Sequence, residues 1–222
     1  YMICAVFVKI ASIFTTQQFA LVVAARLVST ISMTLTIYFV IKIANKLFKD
    51  KGIYKYLFII FIAFQPITAF LASYINNDST AILAISMIIY LWILGLESNW
   101  KIKHCILLGG AVGFCALTYY NAYGYLLMSA VFFAGCMMKC GERKWDWQQM
   151  LKKGCLMLGI VFLVAGWWFI RSGILYDGDF LGMKTSSIYA EKYAIDELKP
   201  SNRVLPVNMD MSVLDMMLWV PG

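Results

Sequence analysis

A few polar clusters interrupt an otherwise apolar chain, and each carries side chains able to do chemistry. Arg26 lies within Ala25-Arg26-Leu27-Val28-Ser29. Its guanidinium stays charged and offers a planar fork that grips two phosphate oxygens at once. The plainer alternative is an anchor that snorkels to lipid headgroups or pairs with a neighbouring helix. Asn76-Asn77-Asp78-Ser79 precedes an apolar run. Asn77 or Asp78 is a good helix cap. A cap needs one such residue, and the surplus carboxylate and amides could orient a sugar, a metal or a phosphate. Tyr119-Tyr120-Asn121-Ala122-Tyr123-Gly124-Tyr125 places four phenols in seven residues. They suit either an interfacial aromatic belt or a surface on which a sugar ring stacks. Trp167-Trp168-Phe169-Ile170-Arg171 offers a second cation beside a Trp pair, again readable as interface anchoring. Asp177-Gly178-Asp179 makes a tight turn with two carboxylates, but it lacks the other ligands of a calcium loop.

The elements that must hold these groups are dictated by composition. Of 222 residues, 62% are hydrophobic and only 14% charged, and the mean hydropathy is +0.75. A soluble domain runs nearer half apolar and a quarter charged. A water-soluble globule, a disordered tail and a disulfide-framed module are therefore excluded, and an all-α, polytopic transmembrane helical bundle is expected. A crossing takes about 20 apolar residues. Six candidate spans follow, at 19–48, 53–74, 79–96, 104–119, 122–138 and 154–170. The fourth and later spans are short, and Gln65-Pro66 interrupts the second. Tyr1 to Phe14 is too short to cross and reads as a half-span or an interfacial helix. Residues 1–171 thus form the membrane region, and 172–222 reads as an extramembrane loop segment. The chain begins with Tyr1 and stops at Pro221-Gly222, so a piece of a longer protein is expected.

The net charge of +7 fits membrane sidedness better than nucleic acid, which is not expected as a partner. Twelve of the 19 Lys and Arg fall in the three connections on one side of the spans. The positive-inside rule makes that side cytoplasmic. Arg26, residues 76–78, Tyr119, Tyr120, Arg171 and the tail then face outward. The six Cys show no metal-ligand spacing and read as small buried hydrophobes. No nucleotide-cradling, zinc-protease or serine-hydrolase pattern occurs.

The order of these pieces resembles the GT-C class of membrane glycosyltransferases, the superfamily of protein O-mannosyltransferases and aminoarabinose transferases. Four stretches carry the resemblance. Arg26-Leu27-Val28-Ser29 leads to the basic Lys46-Leu47-Phe48. Pro66 leads through small residues to Asn77-Asp78. Gly109-Gly110 leads to Leu117-Thr118 and a polar turn. Trp167-Trp168-Phe169-Ile170-Arg171 leads to Tyr176 through Gly182. The likeness spans about residues 1–182. Two departures stand out. The family's catalytic acid lies in a loop that would precede Tyr1, and Tyr119 stands where many members carry Lys.

The resemblance implies inverting transfer of a sugar from a polyprenyl-phosphate donor to a lipid, glycan or protein acceptor. It places the reaction at the outer face of a multi-pass protein in a bacterial plasma membrane. It assigns substrate contacts to Arg26, Asn77, Asp78, Tyr119, Tyr120 and Arg171. Asp78 would also be the ligand of a divalent cation (Mg or Mn) if one takes part. A transporter or flippase is the rival. Carriers put ionisable groups near the midplane and break helices in matched pairs, whereas these ionisable groups sit at span ends and Pro66 is the only mid-span proline.

Overall fold

The computed structural model describes residues 2–49, 52–139, 144–196 and 199–202. The chain divides into two compact units, Tyr1–Trp167 and Trp168–Gly222. The first is a helical bundle. Its opening helix α1, Met2–Ala11, packs on α2, Gln18–Leu47, after a break at Thr15 to Gln17. Helix α2 turns its small and hydroxylated residues inward, burying Ala25, Ser29, Ser32 and Thr36. Its outward ridge is Val23, Leu27, Ile31 and Leu35, each exposed. That is the reverse of a water-soluble helix. It is the pattern expected where lipid solvates the outside and close backbone approach drives packing within.

The second predicted span is broken in two. Helices α3, Gly52–Ala63, and α4, Pro66–Ser73, meet at a 47° bend. Pro66 has no N–H to give to the Ile62 carbonyl one turn back. The Thr68 hydroxyl donates to that carbonyl instead, at 2.9 Å, so the break leaves no orphaned acceptor there. Helix α5, Asp78–Glu97, packs along α2. Lys46 and Lys49 of the α2 end both reach the Glu97 carboxylate, at 2.5 and 3.5 Å. The two helices therefore run parallel, as one intervening crossing requires.

Beyond α5 the chain turns through Asn99 and Trp100, both at positive φ. The Trp100 ring lies over Gly95, where a Cβ would come within 2.8 Å of it. Helix α6, Ile102–Thr118, returns through the middle, packed on both α5 and α8, Trp147–Val161. Gly109 and Gly113 make this possible: added Cβ atoms would sit 2.9 Å from the Met157 carbonyl and 2.8 Å from Val164. A short turn, Tyr120–Ala122, leads into α7, Tyr123–Met137. A two-residue antiparallel ladder, Met138–Lys139 with Lys144–Trp145, links α7 to α8, Trp147–Val161. Asp146 caps α8 by accepting the Gln149 N–H. A π-helical turn, Phe162–Gly166, then widens the helix before α9, Trp167–Leu175. The core is Ala84, Ile88, Cys105, Leu108, Cys115 and Phe133, drawn from α5, α6 and α7.

In the second unit α9 ends at a turn with Asp177 and Gly178 at positive φ. The Phe180 ring folds back over Gly173, within 2.6 Å of where a Cβ would stand. Helix α10, Met183–Tyr193, follows, where the sequence predicted only loop. Gly182 occupies its N-cap position without a side chain to offer. The Asp179 carboxylate reaches in and accepts the Thr185 N–H at 2.8 Å. Residues 203–222 of the predicted tail lie outside the described residues.

Among the described residues, three helical stretches are long and apolar enough to cross a membrane: Gln18–Leu47, Asp78–Glu97 and Trp147–Leu175. The bent α3–α4 pair makes a fourth. Helices α6 and α7, with 17 and 15 residues, fall short of the roughly 20 a crossing takes. Large apolar side chains stay exposed along the helices, among them Phe19, Phe61 and Phe64. The all-helical fold and these spans are compatible with an integral membrane protein.

Candidate functional site

The site is built where α4 ends and α5 begins. Asn76 is buried, and its amide donates to the Leu71 and Tyr74 carbonyls at 2.9 Å each. Its side-chain oxygen accepts the Ser79 N–H at 2.7 Å. One side chain thus closes the end of α4 and opens α5. Neither expected cap residue does this work. Asn77 already has helical backbone angles and makes no side-chain cap bond. Asp78 is left without a hydrogen bond or ion pair among the described residues.

That unspent carboxylate lines a cavity of about 420 Å³. Phe70 and Tyr74 of the α4 end form one wall, their ring centroids 4.7 Å apart. Ala81, Ile82 and Ile85 of α5 form the floor, and Tyr119 and Asn121 close the third side from the α6–α7 turn. Two residues singled out from sequence, Asp78 and Tyr119, therefore share one cavity. Phe70, Tyr74 and Asn121 were missed as lining residues. The i, i+4 spacing of Phe70 and Tyr74 was the available signal for the aromatic pair.

The four tyrosines divide by role. The Tyr123 hydroxyl donates to the Ala116 carbonyl at 3.1 Å, and Tyr125 stacks on Trp92; both fasten α7. Tyr119 and Tyr120 meet edge to face with centroids 4.6 Å apart, and Tyr120 is exposed. Tyr119 ionises above the usual phenol range. Hydrogen bonding to Tyr120 is the main cause, with burial and the nearby charges of Tyr120 and Asp78 adding to it. It is a neutral donor and acceptor at ordinary pH.

The cations stand apart from this lining. Arg26 is exposed on α2, one turn before Thr30. The Thr30 hydroxyl donates to the Ala72 carbonyl of α4 at 2.9 Å. Arg26 therefore shares the end of the bundle that carries the cavity but does not line it, and no partner to its guanidinium is found among the described residues. Arg171 belongs to the second unit, where its guanidinium lies 5.3 Å from the centre of the Trp168 ring. In the Asp177-Gly178-Asp179 turn, Asp179 is committed to capping α10. Its carboxyl is held below the usual range, chiefly by the Thr185 backbone N–H.

Among the described residues no group of three or more His, Cys, Asp or Glu is arranged to hold a metal. Asp78 is the single carboxylate in the cavity lining. The chain matches no protein family, no curated protein and no solved structure with which it was compared.

Proposed function

We propose that the chain is part of a GT-C-like membrane glycosyltransferase with six crossings, its site turned to the outer face of a bacterial plasma membrane. The reaction is transfer of a sugar from a polyprenyl-phosphate donor to an acceptor hydroxyl or amine. The observation that carries this reading is the Asp78 carboxylate. It is released from capping by Asn76 and set into a cavity between α4, α5 and the α6–α7 turn. Asp78 orients the acceptor there, Tyr119 and Asn121 bind its polar groups, and Arg26 faces the donor phosphate. Arg26 then offsets charge on the departing phosphate.

The test is Asp78→Asn in the full-length protein, assayed with a polyprenyl-phosphate sugar. Transfer is expected to fall at least tenfold, since a charge-assisted contact is worth roughly 1.5–3 kcal/mol. Transfer within twofold of wild type at unchanged stability would overturn the assignment.

A second reading, a flippase for a lipid-linked substrate, gains from the two interrupted helices. One is the 47° break before Pro66 and the other the π turn at Phe162–Gly166, since carriers use discontinuous helices at their sites. Proteoliposomes holding a labelled lipid-linked sugar but no acceptor separate the two. Translocation without transfer would favour the flippase.

A further inference from the structure

The chemistry of the cavity lining points to a ligand class. Its one formal charge is the Asp78 carboxylate, and it contains no Lys, Arg or His. Phe70, Tyr74 and Tyr119 present aromatic rings around the same space. A partly enclosed carboxylate without a counter-ion is costly and invites one. Aromatic faces attract cations through their negative quadrupole and repel anions. A phosphate would meet a negative charge and no cation in this lining, which therefore disfavours it.

We infer that this cavity binds a ligand through an ammonium group, seated against Asp78 and the rings of Phe70, Tyr74 and Tyr119. The inference rests on reading the cavity as the ligand site, but not on sugar transfer. In a transferase the ammonium belongs to the acceptor side, and donor phosphate is left to the cations outside the lining. The ammonium can come from a lipid headgroup or from a soluble amine.

Binding is measured without turnover, so its failure is distinct from a failure of transfer. The full chain is placed in phosphatidylglycerol nanodiscs and titrated by calorimetry with benzylamine and its neutral analogue benzyl alcohol. A second pair is dihexanoyl phosphatidylethanolamine and dihexanoyl phosphatidylglycerol. The ammonium member of at least one pair should bind about tenfold tighter than its partner. Preference for phosphatidylethanolamine assigns a lipid headgroup, and preference confined to benzylamine assigns a soluble amine. Asp78→Asn should abolish the preference, and the helix start survives this change because Asn76 holds it. Tyr74→Leu should weaken ammonium binding several-fold without restoring affinity for the neutral analogue. Equal binding within both pairs overturns the inference, as does a preference that Asp78→Asn leaves intact.

Discussion

Asn76 and Asp78 sit two residues apart and divide the labour of one helix start. Asn76 holds three backbone groups, and Asp78 holds none. Asn76→Ala should therefore lose about 1 kcal/mol of cap energy and also strand the Leu71 and Tyr74 carbonyls. A lowered Tm in detergent, beside an unchanged Tm for Asp78→Asn, is the expected pair of results. The reverse ranking would return the cap to Asp78. Arg26 makes a separate test of the proposed phosphate contact. Arg26→Lys keeps the charge and the reach to headgroups but loses the planar fork. Donor-dependent transfer should drop by about one to two decades, while an anchoring role predicts unchanged kinetics. The polar run at 76–79 was legible as important, but not which member caps. That choice depends on where the chain leaves the extended geometry of Tyr74, and three neighbouring cap-competent side chains look alike in sequence.

At the scale of elements, apolar run length located α2 and α5 to within a residue, because a lipid-solvated helix has few polar positions to confuse its ends. Helix α10 escaped because it is short and polar and depends on a carboxylate outside itself. That dependence is titratable. The Asp179 carboxyl is lowered in the folded chain, so its stabilising contribution is fully present above the ordinary Asp value near 4. It is lost as pH falls through the lower folded value. Protection of the Thr185 amide in hydrogen exchange should decline over that acidic window, and Asp179→Ala should show the low-protection state at neutral pH. Inside the bundle, Gly113→Val puts branched carbon where Val164 already stands 2.8 Å from a bare Cβ. Overpacking of about 1–3 kcal/mol should appear as a lower Tm. Gly110→Val, where nothing lies within 4 Å of an added Cβ, should be tolerated far better.

For the whole molecule, the parallel run of α2 and α5 puts the Lys46, Lys49 and Glu97 cluster at one end and Asp78 with Tyr119 at the other. With the basic excess inside, a cysteine replacing Asn77 should label from outside intact cells, and one replacing Lys101 should not, once the native cysteines are removed. Labelling of position 101 alone from outside would invert the proposed orientation. Charge bias is the sequence signal behind that expected orientation. The cavity was not readable, since it is assembled from α4, α5 and a turn some 40 residues further on, and no local pattern records that meeting.

Helix α2 has 30 residues and α7 only 15, about 45 Å against about 22 Å of rise. A hydrocarbon layer of about 30 Å matches neither. In a bilayer α2 must lean or push its lysine end clear of the lipid. Acyl-chain length then becomes a mechanical variable for this protein, setting how steeply α2 leans.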